Sequence, residues 1–220
     1  LTLRGFNDSG QVLFDSNITS DGTSPSHALF LKDLDPATTQ VVVFRGQDGG
    51  PNGESFDTVM QAALNNNGNV AFLARSSAWA VGWYFASFMA GSEMAELAPI
   101  ALQWAPKPAG GQFGLAGRNT AAQLNNEDQV LFVADILERN AVGLFFWEAG
   151  LARSVVSTMD SLPAGAQTVL RSAYVANDQE ALVAIRRAGG KASIYANSSR
   201  PGMGKLRRIV GDLDPAPTGG

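Results

Sequence analysis

The chain has 220 residues, of which 45% are hydrophobic and 16% are charged, so it can bury a sizeable core and lacks the composition of a disordered segment. Its 16 Lys and Arg residues against 20 Asp and Glu residues give a formal net charge of -4, which argues against a nucleic-acid partner. It contains no cysteine, which excludes disulfide bonds, thiolate chemistry and cysteine-ligated zinc.

A motif led by asparagine recurs along the chain and predicts a tandem repeat. The first two copies carry a glycine three residues later and a phenylalanine seven residues later: Asn7, Gly10 and Phe14, then Asn65, Gly68 and Phe72. The third copy, led by Asn125, has Asp128 in the glycine position, and the fourth retains only Asn177. Successive asparagines are 58, 60 and 52 residues apart, so the repeat is regular but accommodates loop insertions.

An apolar pair followed by a proline supplies a second marker with the same period. In every copy the first residue of the pair lies eight residues before the proline: Val43 and Pro51, Ile100 and Pro108, Val155 and Pro163, Ile209 and Pro217. An aspartate lies three residues before the proline in three copies, as Asp48, Asp160 and Asp214, and Ala105 replaces it in the second. The two markers divide the chain into units at approximately 1–55, 56–111, 112–166 and 167–220.

Each unit contains about four short apolar runs bounded by Gly, Pro, Asn and Ser, a pattern typical of short β-strands. In the second unit these runs predict strands at roughly 56–64, 69–75, 82–88 and 96–104. No convincing helical period extends over 11 or more residues. The sequence therefore predicts an all-β, β-propeller-like array of about four four-stranded antiparallel blades, with an open stack of small sheets or a β-sandwich as the alternative.

The asparagine of the motif is expected to shape a hairpin turn. Its side chain can bond to the backbone two residues on, and a glycine such as Gly10 or Gly68 adopts a positive φ without steric cost. Asp128 is a tolerable substitute because Asp enters the left-handed region more readily than most residues. We therefore interpret the motif as a structural turn, with ligand or metal contact as the alternative.

With these residues the chain resembles the bacterial tandem-repeat proteins defined by an NxxGxxxF motif, which are often exported and surface-anchored. The resemblance spans nearly the whole chain, and two copies match the motif fully. It implies export and repetition, with a location that is secreted, periplasmic or at the cell surface, and it implies no reaction. Residues 214–220 are typical of a linker into a further unit, so we expect the chain to be part of a longer array.

Three tryptophans are candidate ligand or interface residues, because an aromatic face supplies apolar area for a sugar ring. These are Trp79, Trp83 and Trp104. Core packing is the favoured interpretation for the tryptophans in or beside predicted strands, and Trp104, next to a Pro-rich loop, is the exception. The longest apolar run, residues 78–91, is too short for a membrane span, which needs about 20 residues. It predicts either a buried strand pair or an exposed patch used for assembly.

The residue types that carry catalysis or bind metals are sparse. His27 is the only histidine, which nearly excludes a catalytic triad or a His-rich metal site, and we expect it in a surface loop. Asp33 with Asp35, and Asp212 with Asp214, each place two carboxylates two residues apart. Such pairs are weak calcium candidates if backbone carbonyls converge on them, and we expect no other cofactor.

These observations favour a non-enzymatic exported module that binds a protein or glycan surface, or that contributes to structural assembly at the cell surface. The alternative is a β-propeller enzyme acting on glycans, a hydrolase or lyase, with its site built from loops of several blades at a central channel. Glycoside hydrolysis would require two carboxylates across a cleft. A structural subunit of a larger complex is a third hypothesis, motivated by the apolar run at 78–91.

Overall fold

The computed structural model describes residues 1–18, 26–35, 38–50, 53–108, 110–114, 122–137 and 141–157, together with four strands within 169–211. The strands form four antiparallel sheets, in each of which neighbouring strands follow one another along the chain. The described residues include no helix that is long and apolar enough to cross a membrane.

The strand bounds, sheet by sheet, are as follows. The first sheet contains β1 (Thr2–Phe6), β2 (Gln11–Ile18), β3 (Ser26–Asp33) and β4 (Thr39–Phe44). The second contains β5 (Phe56–Leu64), β6 (Val70–Ser76), β7 (Val81–Ser87) and β8 (Glu96–Leu102). The third contains β9 (Phe113–Gly114), β10 (Gln123–Leu124), β11 (Val130–Ile136), β12 (Ala141–Glu148) and β13 (Leu151–Ser157). The fourth contains β14 (Val169–Val175), β15 (Glu180–Arg186), β16 (Ala192–Ser198) and β17 (Arg207–Gly211).

This architecture confirms the predicted all-β, propeller-like array of four-stranded antiparallel blades. The third sheet differs in one respect, because β9 and β10 both pair with β11 and together replace a single first strand. Gly114 pairs with Asp135, and Gln123 pairs with Leu131. Between these two pairings the chain advances nine residues on one side (114 to 123) and four on the other (131 to 135). β9 and β10 therefore meet β11 at two separate places along its length.

The asparagine motif forms the same turn in the first three sheets. In each copy the Asn backbone N–H donates to the carbonyl four residues later, and the residue at the glycine position donates back to the Asn carbonyl, at 3.1 to 3.3 Å. The Asn side-chain Oδ1 accepts the backbone N–H four residues later at 2.9 Å in all three. Gly10, Gly68 and Asp128 have φ values of 76°, 81° and 61°. Asn177 lies outside the described residues.

The turns also bond to one another from sheet to sheet, an array that we call the asparagine ladder. Nδ2 of Asn7 donates to the carbonyl oxygen of Asn65 at 2.7 Å, and Nδ2 of Asn65 donates to that of Asn125 at 2.8 Å. The next residue of each turn repeats the pattern, with a backbone N–H donating to its counterpart's side-chain Oδ1 at 3.1 and 2.9 Å. Asn65 and Asn125 are buried, so the ladder links the first three sheets away from competing water.

Apolar cores fill the space between neighbouring sheets. The core between the first and second sheets includes Leu13, Leu29, Val43, Phe72 and Tyr84. The core between the second and third sheets includes Leu73, Trp83, Phe132, Phe145 and Trp147. Each face of the second sheet therefore packs against a different neighbour, which is why its strands are apolar almost throughout.

The two cores contain aromatic clusters of nearly the same geometry. The clusters are Phe56, Phe72 and Tyr84 in the second sheet, and Phe113, Phe132 and Phe145 in the third. The stacked pair has ring centroids 5.4 Å apart at 20° in the first cluster and 5.6 Å apart at 25° in the other. The edge-on pair has centroids 5.1 Å apart at 80° and 5.0 Å apart at 77°. Tyr84 thus takes the place of Phe145 and adds a hydroxyl that the ring packing does not require.

Candidate ligand-binding site

Two exposed tryptophans lie at the end of the second sheet opposite its asparagine turn. Trp79 connects β6 to β7 and is 70% exposed, and Trp104 follows β8 and is 48% exposed. The backbone φ angles are 69° at Trp79 and 67° at Trp104. This conformation is costly for a bulky residue, and such strain is concentrated at functional sites. We call Trp79, Trp104 and the neighbouring Arg75 and Asp57 the tryptophan end.

Hydrogen bonds hold the turn that presents Trp79. The Ser76 N–H donates to the Ala80 carbonyl at 2.7 Å, and the Trp79 N–H donates to the Ser76 carbonyl at 3.0 Å. The Ser76 hydroxyl donates in turn to the Glu54 carboxylate. Because the turn is closed by its own backbone and anchored to a neighbouring carboxylate, the backbone of Trp79 is held in place before any ligand arrives.

A chain of charges supports the Trp79 ring. The Arg75 guanidinium lies 4.2 Å from the ring centroid, a cation–π contact. Its Nη2 bonds to Oδ2 of Asp57 at 2.6 Å, and Arg45 of the first sheet pairs with Oδ1 of the same carboxylate at 3.2 Å. The hydrogen bond from Arg75 is the main cause that holds the pKa of Asp57 below its ordinary value, although partial burial opposes it. The ionised Asp57 therefore keeps Arg75 over the ring.

A pocket of about 350 Å³ lies between the first and second sheets, next to this end. One wall is the segment 47–50, and the other consists of Ala95, Leu97, Pro99 and Leu102. The segment is joined to the start of β5, since the Phe56 N–H donates to the Gln47 carbonyl at 2.9 Å, and it closes on itself, since the Gly50 N–H donates to the Glu54 carbonyl at 2.7 Å. A Cβ on Gly50 would lie 2.7 Å from that same oxygen, so a side chain there would displace the wall.

Tyr84 of β7 also lines this pocket. Its side chain is 2% exposed, and its hydroxyl has no hydrogen-bond partner among the described residues. Burial raises the pKa of Tyr84 well above its ordinary value, and the nearby Glu54 carboxylate raises it further. The hydroxyl therefore remains protonated at neutral pH and is a buried donor without an acceptor, which is costly.

The three tryptophans predicted as ligand residues are not equivalent. Trp79 and Trp104 are exposed, but Trp83 is 1% exposed in the core between the second and third sheets. Trp83 therefore packs in the core, as favoured for the tryptophans in strands, and its candidate role as a ligand or interface residue is corrected. The same burial covers all of residues 81–86, so the middle of the apolar run at 78–91 packs inside the fold as β7, whereas Ala78, Trp79 and residues 89–91 are exposed.

The predicted calcium pair in the first sheet is engaged by other side chains. Asp33 accepts from Nε2 of Gln11 at 2.8 Å through Oδ1 and from the Thr38 hydroxyl at 2.9 Å through Oδ2. Asp35 is exposed. No three His, Cys, Asp or Glu side chains converge within the described part of the chain. The second pair, Asp212 and Asp214, lies outside it.

His27 lies within β3 and not in a surface loop as expected. Its Nε2 is 3.8 Å from Oδ1 of Asp15, a buried carboxylate that Arg4 also pairs with. The histidine is thus part of the first sheet's own polar contacts.

The pocket residues Gln47, Asp48 and Tyr84 were not among the sequence-predicted site residues. The spacing of the repeat could not reveal this pocket, because its walls come from two different units. The aligned third-strand runs carry Phe30 and Phe145 at the position of Tyr84 in the first and third units, and Tyr195 in the fourth. Because phenylalanine occupies this position in two units, packing there does not require a hydroxyl, and the sequence offers this signal for Tyr84.

The profile of a family of unknown function, DUF7453, matches residues 2–216. A search of curated proteins finds no match. Similar solved structures include proposed 6-phosphogluconolactonases from two Bacteroides species. For that of Bacteroides uniformis the identity is 12%, the TM-score is 0.41, and the match covers 95% of this chain and 55% of the other. For that of Bacteroides fragilis the corresponding values are 9%, 0.37, 97% and 70%. The chain thus spans about half the length of the first of these structures.

Proposed function

Because the chain belongs to the DUF7453 family, whose function is unknown, we propose a function from its geometry: a non-enzymatic glycan-binding module that uses the tryptophan end. One observation carries this proposal. Trp79 is a large apolar ring, 70% exposed, in a left-handed backbone conformation that its surroundings maintain. A fold that only needed a turn would place Gly or Asn there.

The chemistry around Trp79 suits a sugar better than a protein surface. A sugar ring has an apolar face of C–H groups and an edge of hydroxyls, so it pairs with an aromatic ring flanked by hydrogen-bonding groups. Arg75 and Asp57 supply such groups beside the Trp79 ring. Protein interfaces also use exposed tryptophans and arginines, but acidic residues such as Asp57 are depleted from them.

We propose further that the protein acts outside the cytoplasm, secreted, periplasmic or at the cell surface, as part of a longer array. The support is the NxxGxxxF resemblance of the turns at Asn7 and Asn65. Repetition would place several binding surfaces side by side and raise avidity for a polymer. Fractionation of source cells tests the location, and recovery of the protein only in the cytosol would contradict it.

The glycan-active enzyme has less support. Glycosidases place two carboxyl groups roughly 5 to 9.5 Å apart across the scissile bond. Of the described residues that line the pocket beside the tryptophan end, one carries a carboxylate, Asp48. Release of reducing sugar by the purified protein, abolished by one carboxylate substitution, would establish the enzyme and overturn the binding proposal.

Native affinity electrophoresis in gels containing starch, xylan, mannan or β-glucan tests the proposal. We expect at least one polysaccharide to retard the wild-type protein, and Trp79→Ala to abolish the retardation. Trp104→Ala should weaken it less, since Trp104 is less exposed. Leu151→Ala is the matched control, because Leu151 is 78% exposed but lies at the start of β13, at the opposite end of its own sheet.

Two results would contradict glycan binding at this end. One is wild-type mobility that no polysaccharide changes. The other is retardation that survives Trp79→Ala and Trp104→Ala together. A cell-surface protein captured by the wild type but not by Trp79→Ala would instead assign the same surface to a protein partner.

A further inference from the structure

The pocket between the first and second sheets contains a donor that the fold does not use. Tyr84 and Phe145 occupy the same place in two aromatic clusters of matching geometry, yet only Tyr84 carries a hydroxyl. That hydroxyl is buried and has no partner among the described residues. Since phenylalanine satisfies the packing in the third sheet, the hydroxyl in the second has no structural explanation, and it lies where a pocket adjoins it.

The remaining lining divides into a polar wall and an apolar wall. Gln47 and Asp48 contribute an amide and a carboxylate from the first unit, while Leu97, Pro99 and Leu102 contribute apolar surface from the second. Gln47 already accepts the Phe44 N–H through Oε1 at 3.2 Å, so its amide is fixed in orientation and its Nε2 is available as a donor. The volume of about 350 Å³ lies near the lower end of the roughly 300 to 1,000 Å³ typical of small-molecule sites.

The charges of this region disfavour an anion. Among the described residues, the lining includes the Asp48 carboxylate and no Lys or Arg side chain. A second carboxylate, Glu54, lies close enough to Tyr84 to raise its pKa. A negatively charged ligand would therefore be repelled by the carboxylates in and near this pocket. Without a cation among the described lining residues, its binding would cost free energy.

We propose that this pocket binds a single neutral sugar unit, with the Tyr84 hydroxyl donating to a sugar oxygen, Asp48 accepting from sugar hydroxyls, and Leu97 and Pro99 against the apolar ring face. The size, the mixture of donors and acceptor, and the apolar wall are each those of a sugar subsite. The inference rests on the proposed function for the class of ligand. It stands on different residues, because no residue of the tryptophan end lines the pocket.

Thermal shift and calorimetric titration with D-glucose, D-galactose, D-mannose and N-acetyl-D-glucosamine test the proposal. At least one should raise the unfolding temperature of the wild-type protein, and the matching uronate, such as D-galacturonate for D-galactose, should raise it less. Tyr84→Phe should weaken the affinity roughly tenfold, the loss of one buried hydrogen bond. Without sugar, Tyr84→Phe should be at least as stable as the wild type, because the orphaned hydroxyl is gone.

Asp48→Asn is the second variant, since it retains size and removes the charge. It should weaken neutral sugars and reduce the discrimination against uronates. Three results would overturn the proposal: no response of the wild type to any of the four neutral sugars, unchanged affinity in Tyr84→Phe, or a sugar-free Tyr84→Phe protein that unfolds at a lower temperature. The last would show that the hydroxyl already has a partner within the fold.

The two proposals fail separately. Trp79→Ala should abolish retardation by polysaccharide while monosaccharide binding persists, because Trp79 does not line the pocket. If Tyr84→Phe weakens monosaccharide binding but Trp79→Ala leaves polysaccharide retardation unchanged, the sugar site in the pocket is supported and the site at the tryptophan end is contradicted. If Trp79→Ala abolishes polysaccharide retardation but Tyr84→Phe leaves monosaccharide binding unchanged, the site at the tryptophan end is supported and the sugar site in the pocket is contradicted.

Discussion

The second and third sheets are built on one plan and differ where the candidate site lies. In each sheet an asparagine turn precedes the central strands, β6 in one and β11 in the other, and Asn65 of the second sheet bonds to Asn125 of the third. Both sheets also pack an aromatic triad at nearly the same distances and angles. Relative to the third sheet, the second sheet adds a hydroxyl to its triad, and it borders the pocket formed with the first sheet. The two sheets therefore share the turn and the aromatic triad that fold them. We place the binding site at the hydroxyl and the pocket that distinguish the second sheet from the third.

Asn65 and Asn7 provide the largest expected contrast. Asn65→Ala removes a buried side chain that accepts two backbone N–H groups of its own turn and donates to the next turn. We expect a loss of about 2–4 kcal/mol of unfolding free energy, because several buried partners are left unsatisfied. Asn7→Ala should cost less, since Asn7 is only half-buried. Urea denaturation measures both, and equal losses would contradict a buried ladder.

The aromatic triads provide the second contrast. Phe145→Tyr gives the third sheet the hydroxyl of the second, at a ring that is 1% exposed within its core. We expect a loss of about 1–3 kcal/mol, the cost of burying a polar group without a partner. Chemical denaturation of Phe145→Tyr beside Tyr84→Phe measures the contrast. A Phe145→Tyr protein as stable as the wild type would show that these interiors accept an unpaired hydroxyl, which would remove the significance given to Tyr84.

Much of the fold follows from the sequence, because its determinants are local. The Asn and Gly of each turn act within five residues, and apolar runs bounded by Gly, Pro and Asn predict strands of the second unit within two residues of β5 to β8. The ladder was not predictable in this way, since nothing in the motif shows that Nδ2 of Asn65 reaches the carbonyl of Asn125, 60 residues on. The asparagine is thus a link between sheets as well as a hairpin device.

The site was less predictable because exposure depends on position and not on residue type. Trp79 and Trp83 lie four residues apart in one apolar run, yet the first is in a turn and the second is in the middle of a buried strand. The pocket joins a loop of one unit to a strand of the next, a proximity that follows only once the sheets are stacked.

The glycine position of the turn provides a third, smaller contrast. Gly68 and Asp128 both have a positive φ, but only Asp128 has a side chain. Its Oδ1 accepts hydrogen bonds from Nδ2 of Asn65 at 2.8 Å and from Nδ2 of Asn69 at 2.7 Å. Asp128→Gly relieves the backbone but loses both bonds, so we expect a net loss of about 1 kcal/mol in urea denaturation. If backbone conformation alone decided the outcome, Asp128→Gly would increase the unfolding free energy. An observed increase would show that the two hydrogen bonds of Asp128 contribute little.

The smallest expected effect concerns the pH dependence of the tryptophan end. Because folding lowers the pKa of Asp57, its contribution is present above the unfolded value of about 3.9 and is lost as pH falls through the folded pKa. The pair is partly exposed, so we expect less than about 1 kcal/mol. Asp57→Asn should remove this part of the acid-induced loss in denaturation series at neutral and acidic pH. An identical profile in the variant would contradict the role of Asp57 as the anchor of Arg75.

The most direct test of glycan binding at the tryptophan end is an NMR titration of the indole N–H resonances of the four tryptophans. Two of them, Trp79 and Trp104, are exposed at this end, and the other two, Trp83 and Trp147, are 1% and 4% exposed and serve as internal controls. On addition of the polysaccharide that retards the protein, we expect saturable shifts of the Trp79 and Trp104 signals and stationary signals for the buried pair. A bound protein in which the Trp79 and Trp104 signals do not move would contradict the account.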